Sequence, residues 1–336
     1  MASMSLFEVH QSSIKRWRMC KRAYWYSYIL KLQKRKKSGP LWRGTIAHEM
    51  LEAKANGLDP MAPLESMEAE YEKLFQDEKD YYGNIPEQVK LIMSGYFDYY
   101  EEDDLTPIAI GKDKKKKAEH KFAIELAPGI IFKGKIDQVA RDKQKHNWLL
   151  DHKTHKVLPE TGLKYSDIQS AIYVSVLNRL APSLKIYGVC WDYIRWKMPS
   201  IPEVLKSGEM SKRAIDTTWT VYRAALKRAG LKTSDYLDMR DRLKEKESSF
   251  YRREYLPIHG SLVDNVLAEA ITTAKEMKER AGHDTTRNIE RHCTYCDFYM
   301  LCQAELRGLD TDYMLKTDYT EKPDAENETE NEELTD

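Results

Sequence analysis

Residues 134–154 read GKIDQVARDKQKHNWLLDHKT. Apolar residues flank a charged break, the pattern of two strands joined by the polar turn DKQKHN. In WLLDHKT, Leu149, Asp151 and Lys153 fall on one face, and Trp148, Leu150 and His152 on the other, because successive side chains of a strand point to opposite sides. Pairing through the 142–147 turn brings Asp137 toward Asp151. Two hard carboxylates with open positions suit Mg²⁺ or Mn²⁺. Such an ion polarises a phosphodiester and lowers the pKa of bound water. Lys153 then positions or deprotonates that water and stabilises developing charge. A cross-strand salt bridge accounts for the same residues without any chemistry, and at this point both readings stand.

Outward from this pair, EHKFAIELA (119–127) alternates as a strand and turns at Pro128-Gly129. The strands 119–127, 130–141 and 148–154 form an antiparallel meander. Residues 164–180 read as a helix stopped by Pro182, and 185–196 as a further strand. Upstream, residues 12–32 read as one helix capped by Ser12 or Ser13. A second helix spans 43–56 and ends at Gly57, and 64–104 is helical and rich in Tyr and Glu. Residues 200–250 read as a mostly helical, polar insertion, and about 261–281 as a long amphipathic helix. The order predicts a mixed α/β unit with helices around a sheet. GIIFKGKI (129–136) misses the phosphate-cradling loop, because Ile136 replaces the hydroxyl and the stretch reads as a strand.

The chain has 336 residues with 54 basic and 54 acidic side chains. The neutral sum conceals an asymmetry. EKPDAENETENEELTD at the C-terminus holds eight acids and one lysine, −7, so the remainder carries +7. Residues 311–336 are therefore expected to be an acidic, disordered tail. Basic runs at Lys34, Arg35, Lys36 and Lys37 and at Lys114–Lys117 are solvated surface or polyanion contacts. No apolar run spans a membrane, and the N-terminus lacks a signal-peptide core. A cytoplasmic location is expected. Five cysteines then suggest metal ligands or buried thiols rather than disulfides.

Four short motifs stand in order: GTIAH (44–48), GKID (134–137), DHK (151–153) and QSAIY (169–173). Together they resemble the PD-(D/E)xK nuclease superfamily, and within it the RecB-type nuclease domains, over residues 12–305. The resemblance implies a restriction-endonuclease-like core, a mixed central sheet flanked by helices. It implies a DNA nuclease, an exonuclease on ends or single strands, with a structure-specific endonuclease and a non-catalytic DNA-binding scaffold as rivals. His48, Asp137, Asp151 and the backbone carbonyl of His152 would hold Mg²⁺ or Mn²⁺. Lys153 would orient the water, and Gln169 and Tyr173 would support the site or touch the DNA backbone. Glu52, one turn beyond His48, would be a supporting or solvated acid. Arg252 and Arg253, in FYRREY (250–255), and Lys34–Lys37 would contact DNA.

RHCTYCDFYMLC (291–302) places Cys293, Cys296 and Cys302 as C-x2-C-x5-C. Nuclease domains of the AddB type and CRISPR-associated RecB-like exonucleases add one cysteine ahead of the His motif, which here is Cys20. The resemblance implies a [4Fe–4S] cluster joining the N- and C-terminal segments, with zinc on three cysteines and His292 as the rival. Cys190, in an apolar strand, reads as a core residue. One nuclease domain over 1–310 is expected. It comprises a helical part at 12–110, a catalytic core at 119–196, an insertion at 197–260 and a cysteine-bearing end at 261–305. A helicase or recombinase on another chain, in recombination, repair or phage DNA metabolism, fits such a unit by analogy.

Overall fold

The computed structural model describes residues 6–36, 38–110, 116–159, 168–244 and 249–322. Its strands are β1 (Phe7–Val9), β2 (Leu32–Lys34), β3 (Thr106–Pro107), β4 (Ala118–Ala127), β5 (Ile130–Arg141), β6 (Asn147–His155), β7 (Ile186–Arg195), β8 (Tyr251–Pro257) and β9 (Tyr319–Glu321). Its helices are α1 (Gln11–Met19), α2 (Lys21–Tyr24), α3 (Gly39–Ala55), α4 (Ala62–Glu72), α5 (Gln76–Tyr82), α6 (Ile85–Tyr99), α7 (Ile168–Leu180), α8 (Trp219–Arg228), α9 (Leu237–Lys244), α10 (Gly260–Arg280), α11 (Tyr299–Leu306) and α12 (Asp312–Asp318).

The meander β4–β5–β6 is antiparallel, as its short turns require, and β7 returns through α7 to lie parallel to β6. The main sheet runs β1-β5-β6-β7-β8, with β3 and β4 on the other edge of β5. The long strand β5 therefore changes partners along one edge. Ile130–Phe132 pair with β1, and Gln138–Arg141 pair with β6. Residues 133–137 between them have no strand on that side among the described residues. This gap is the feature that positions the site.

Alternation along β7 assigns the two faces. Val189, Trp191 and Tyr193 join the core under α7 and α10, with Val139, Leu149 and Ile172. Cys190 packs on the reverse face with Leu150 and Trp148, and Ile194 packs there against Trp42, Ile46 and Met50 of α3 and Val89 and Ile92 of α6. Burying each such Leu, Ile or Val contributes about 1.5–3 kcal/mol. Among the described residues no helix is long and apolar enough to cross a membrane.

Several elements differ from expectation. The helix expected over 12–32 breaks at Cys20, whose backbone is extended (φ −165°, ψ 116°), and resumes as α2 and a π turn at Trp25–Ile29. The break is tied down, since the Arg22 N–H bonds to Thr286 O, 2.9 Å away near the other end of the chain. The stretch 64–104 divides into α4, α5 and α6. Gly83, at φ 64°, ends α5, and the Asn84 side chain accepts from Glu87 N to start α6. The part of the 164–180 helix before Ile168 lies outside the described residues. Among the described residues of 200–250 only α8, α9 and a short 3₁₀ turn are helical, and the residues before α8 are irregular, with a turn at Gly208 closed by a Val204–Met210 bridge. FYRREY is largely sheet. Its Tyr251–Tyr255 pair antiparallel with β7, so the sheet edge lies inside the span expected as insertion.

The expected disordered tail begins too early. Residues 312–321 form α12 and β9, and β9 pairs with β2. The acidic residues beyond 322 lie outside the described residues.

The β7–β8 edge depends on Gly188. A Cβ there would collide with the Leu256 carbonyl oxygen and stand 2.8 Å from Pro257 Cα, both backbone atoms. Gly188→Ala is expected to cost about 1–3 kcal/mol, read as a lower midpoint in urea unfolding with an unchanged slope.

Candidate active site

The gap in β5 collects the chemistry. Pairing of β5 with β6 stops at Gln138–Leu150. The next pair in register, Asp137 and Asp151, therefore stands where the strands part. The His152 N–H, which a continued ladder would have given to a backbone carbonyl, instead donates to Asp137 Oδ2 at 3.0 Å. Asp151 and Lys153 face α7. Lys153 Nζ lies 2.9 Å from Asp151 Oδ1 and 3.0 Å from Gln169 Oε1, and Gln169 Nε2 donates to the same Asp151 oxygen at 3.3 Å. Tyr173, one turn on, hydrogen-bonds the Lys135 backbone and Gln169, and burial pushes its phenol up. Gly134 makes room for this ring, since a Cβ there would stand 2.6 Å from Phe122 and 3.2 Å from Tyr173.

His48 reaches the gap from α3, on the other face of the sheet. Its Nδ1 is 3.7 Å from Asp137 Oδ2 and 3.7 Å from Glu119 Oε1. The ligand atoms of His48, Glu119 and Asp137 all lie within 4.8 Å of one another. Imidazole and carboxylate oxygens fit Mg²⁺ or Mn²⁺. The three stand together because β4 pairs with β5 on the side opposite the gap, which puts Glu119 beside Asp137.

Glu119 was not among the residues expected from the sequence. Its strand is legible, but a bulge between Glu125 and Ala127 shifts the β4–β5 register by one. A plain hairpin count across Pro128-Gly129 sets Glu119 against Gln138 instead. Glu119 also holds a left-handed backbone, φ 58°, uncommon for a residue with a side chain.

The cluster is electrically self-contained. Burial raises the Glu119 carboxyl, but hydrogen bonds from His48 and Lys135 outweigh it and hold the group below its ordinary value. Burial lowers the His48 imidazole, yet Glu119, Asp137 and Asp151 outweigh it and raise it above its ordinary value. Lys135 pairs with Glu119. Glu52 lines the same cleft, its carboxyl raised by burial and by the nearby Glu119.

The sequence pattern of the PD-(D/E)XK nuclease superfamily matches residues 9–303. The chain belongs to that superfamily. It is a nuclease by family, a phosphodiester hydrolase of a kind that works with divalent metal ions. A crystal structure from Eubacterium rectale, provisionally named an exonuclease, is 14% identical over 76% of this chain and 87% of that one, with a TM-score of 0.34. No curated protein matches the sequence.

His48, Asp137, Asp151, Lys153, Gln169 and Tyr173 of this nuclease thus meet in one place. The His152 backbone meets them too, while its ring turns to the reverse face and bonds Asp192. The four cysteines expected to act together, Cys20, Cys293, Cys296 and Cys302, line one cavity with Arg22, Arg287 and His292. Cys190 is buried in the sheet, far from that group in the fold, and burial raises its thiol.

The DNA contacts expected of the basic residues fare differently. Arg253 is only 8% exposed, forked on Asp103 at 2.5 and 2.9 Å and near Asp192, with its guanidinium over Tyr100. That corrects the expectation of a DNA contact, because its charge is already neutralised inside the fold. Arg252 pairs with Glu254 at 2.6 Å and donates to Pro159 O. Lys34 lies in β2, Arg35 donates to Lys316 O, and Lys36 is exposed. Lys37 lies outside the described residues.

Because the flanking acids, Glu119 and Asp137 among them, raise the His48 imidazole, a metal ion at its nitrogen competes with a proton there. Mn²⁺ affinity is therefore expected to fall as pH drops through the raised value, with proton release on binding. His48→Gln should flatten that dependence. Calorimetric titration in buffers of different ionisation enthalpy measures both effects.

Proposed function

We propose that this chain is a metal-dependent DNA exonuclease of the RecB type, acting at DNA ends or on single strands, with a [4Fe–4S] cluster clasping its two ends. The observation that supports the chemistry best is that the His48–Glu119–Asp137 donors stand beside the Asp151–Lys153–Gln169 triplet where β5 and β6 part. The exonuclease reading follows the RecB-type order of the motifs.

His48, Glu119, Asp137 and Asp151 would hold Mg²⁺ or Mn²⁺, which would supply Lewis acidity there when bound. Lys153, fixed by Asp151 and Gln169, orients the attacking water and offsets charge that develops on the phosphate. Gln169 holds Lys153 and Asp151 with its two amide atoms, so the amine stays aimed into the gap. Tyr173 keeps β5 at its distance from α7.

For the cysteine site, zinc at about 2.3 Å would draw its sulfurs to within about 3.8 Å of one another. The four cysteines line one cavity with His292. A cubane carries its thiolates on separate iron corners and suits ligands that surround a cavity. Arg287 Nε stands 3.3 Å from Cys302 Sγ, a donor to a thiolate. Arg22, Tyr26 and Arg287 all converge on Glu305, so both ends of the chain already meet at this point. The cluster's place is structural, and the helicase or recombinase expected as a partner belongs to the same RecB-type reading.

End-labelled linear single- and double-stranded DNA should be degraded with Mg²⁺ or Mn²⁺ and spared with EDTA. Asp151→Asn and Lys153→Ala should each lose on the order of a hundredfold or more in rate. Cutting of covalently closed circles would favour the endonuclease reading, and full activity in both variants would sink the mechanism. Anaerobically purified protein should carry about four irons and four sulfides per chain. Cys20→Ser should lower both the iron content and the melting temperature, whereas stoichiometric zinc without iron would replace the cluster.

A further inference from the structure

On the sheet face away from Lys153, a charged network is buried beneath α3 and α6. Asp192 is 0% exposed and stands directly opposite His152 in the parallel β6–β7 register. Its Oδ2 lies 2.9 Å from His152 Nδ1 and accepts from the Tyr96 hydroxyl, and its Oδ1 lies 3.4 Å from Arg253 Nε. Arg253 is in turn forked on Asp103. Burying a carboxylate so completely is costly, and a buried ion pair is weak evidence for stability as such. The network therefore invites the question of what it holds in place.

It holds His152. This residue touches two expected metal ligands by different parts of itself. Its N–H donates to Asp137 Oδ2 at 3.0 Å. Its ring meets the His48 ring edge-on, with centroids 6.0 Å apart and planes at 87°. Beyond Leu150, β6 has lost β5 as a partner, so on the gap side nothing in a ladder fixes the peptide of His152. What remains is the pairing with β7 and the clamp from Asp192.

We infer that His152, clamped by Asp192, is a positioning residue that sets Asp137 and His48 at metal-binding separation across the parted strands. Hydrogen-bonded groups behind metal ligands orient them, and their loss costs about 10–100-fold in metal affinity. Here the orienting group lies one residue along the strand from the ligand Asp151, and its side chain works from the reverse face of the sheet. The inference rests on the metal site proposed above.

Mn²⁺ binding to the full chain without DNA tests it. His152→Phe keeps a ring against His48 and the backbone N–H but loses the bond to Asp192, and Asp192→Asn keeps the volume and weakens the clamp. Both should bind Mn²⁺ about tenfold or more weakly, with kcat restored at saturating Mn²⁺. Tyr96→Phe removes a different hydrogen bond from Asp192, and should lower the melting temperature while leaving Mn²⁺ affinity unchanged. Wild-type affinity in His152→Phe and Asp192→Asn would overturn the inference. So would an equal loss in Tyr96→Phe, which would make the effect one of general stability. A wild-type chain that binds no Mn²⁺ would overturn the metal reading beneath it as well, which keeps the two failures apart.

Discussion

The site depends on one hydrogen bond that is not part of a ladder. Where β5 and β6 separate, the His152 N–H needs an acceptor, because an unmade buried backbone bond costs about 1–3 kcal/mol. Asp137 Oδ2 provides it. A continuous β5–β6 pairing would have filled that edge with backbone carbonyls and left Asp137 and Asp151 as ordinary cross-strand neighbours. By parting at Gln138–Leu150, the sheet leaves two side chains in register at an edge without a ladder. His48 can then enter from α3 on one face and Gln169 from α7 on the other. The fold and the reaction share this single irregularity.

The same opening explains how the cleft exists without collapsing. Glu119, Asp137 and Asp151 would repel one another if nothing intervened. Lys135 on Glu119 and Lys153 on Asp151 supply opposite charge, and the acids raise the His48 imidazole above its ordinary value. An arriving cation takes over part of that duty. It competes with a proton on His48 rather than entering a site of bare negative charge, which couples metal occupancy to pH.

How much of this the sequence discloses depends on how local each feature is. The three meander strands follow from alternation and short turns, and the positions of Asp137, Asp151 and Lys153 follow from the strand period alone. Glu119 was hidden because its register turns on a one-residue bulge at Glu125–Ala127, and bulges carry no fixed sequence signal when no glycine marks them. FYRREY reads as a DNA contact at the end of the insertion because charges are mostly outside. Its burial is decided by Asp192 and Asp103, which are distant in sequence, and no local pattern reports that. The break at Cys20 was invisible for the same reason, since the helical period continues past it while Thr286 takes the Arg22 N–H.

These long-range ties share a purpose. The segment 20–34 packs against 296–321 through Tyr26, Phe298, Leu301 and Tyr319, and β2 pairs with β9. Beside it, α1 leads from β1, which pairs with β5 at Ile130–Phe132, immediately before the gap. Fixing the chain's ends to each other therefore fixes one lip of the cleft, as the Asp192 clamp fixes the other through β6. A gap in a sheet is mechanically weak, because no ladder of backbone hydrogen bonds spans it. Here its two sides are held from behind by different devices, the packing of segment 20–34 on 296–321 beyond β1 and a buried charge network beneath β6. The ligands can then stay a few ångströms apart, and the missing strand contact leaves room for metal and phosphate rather than a route to unfolding.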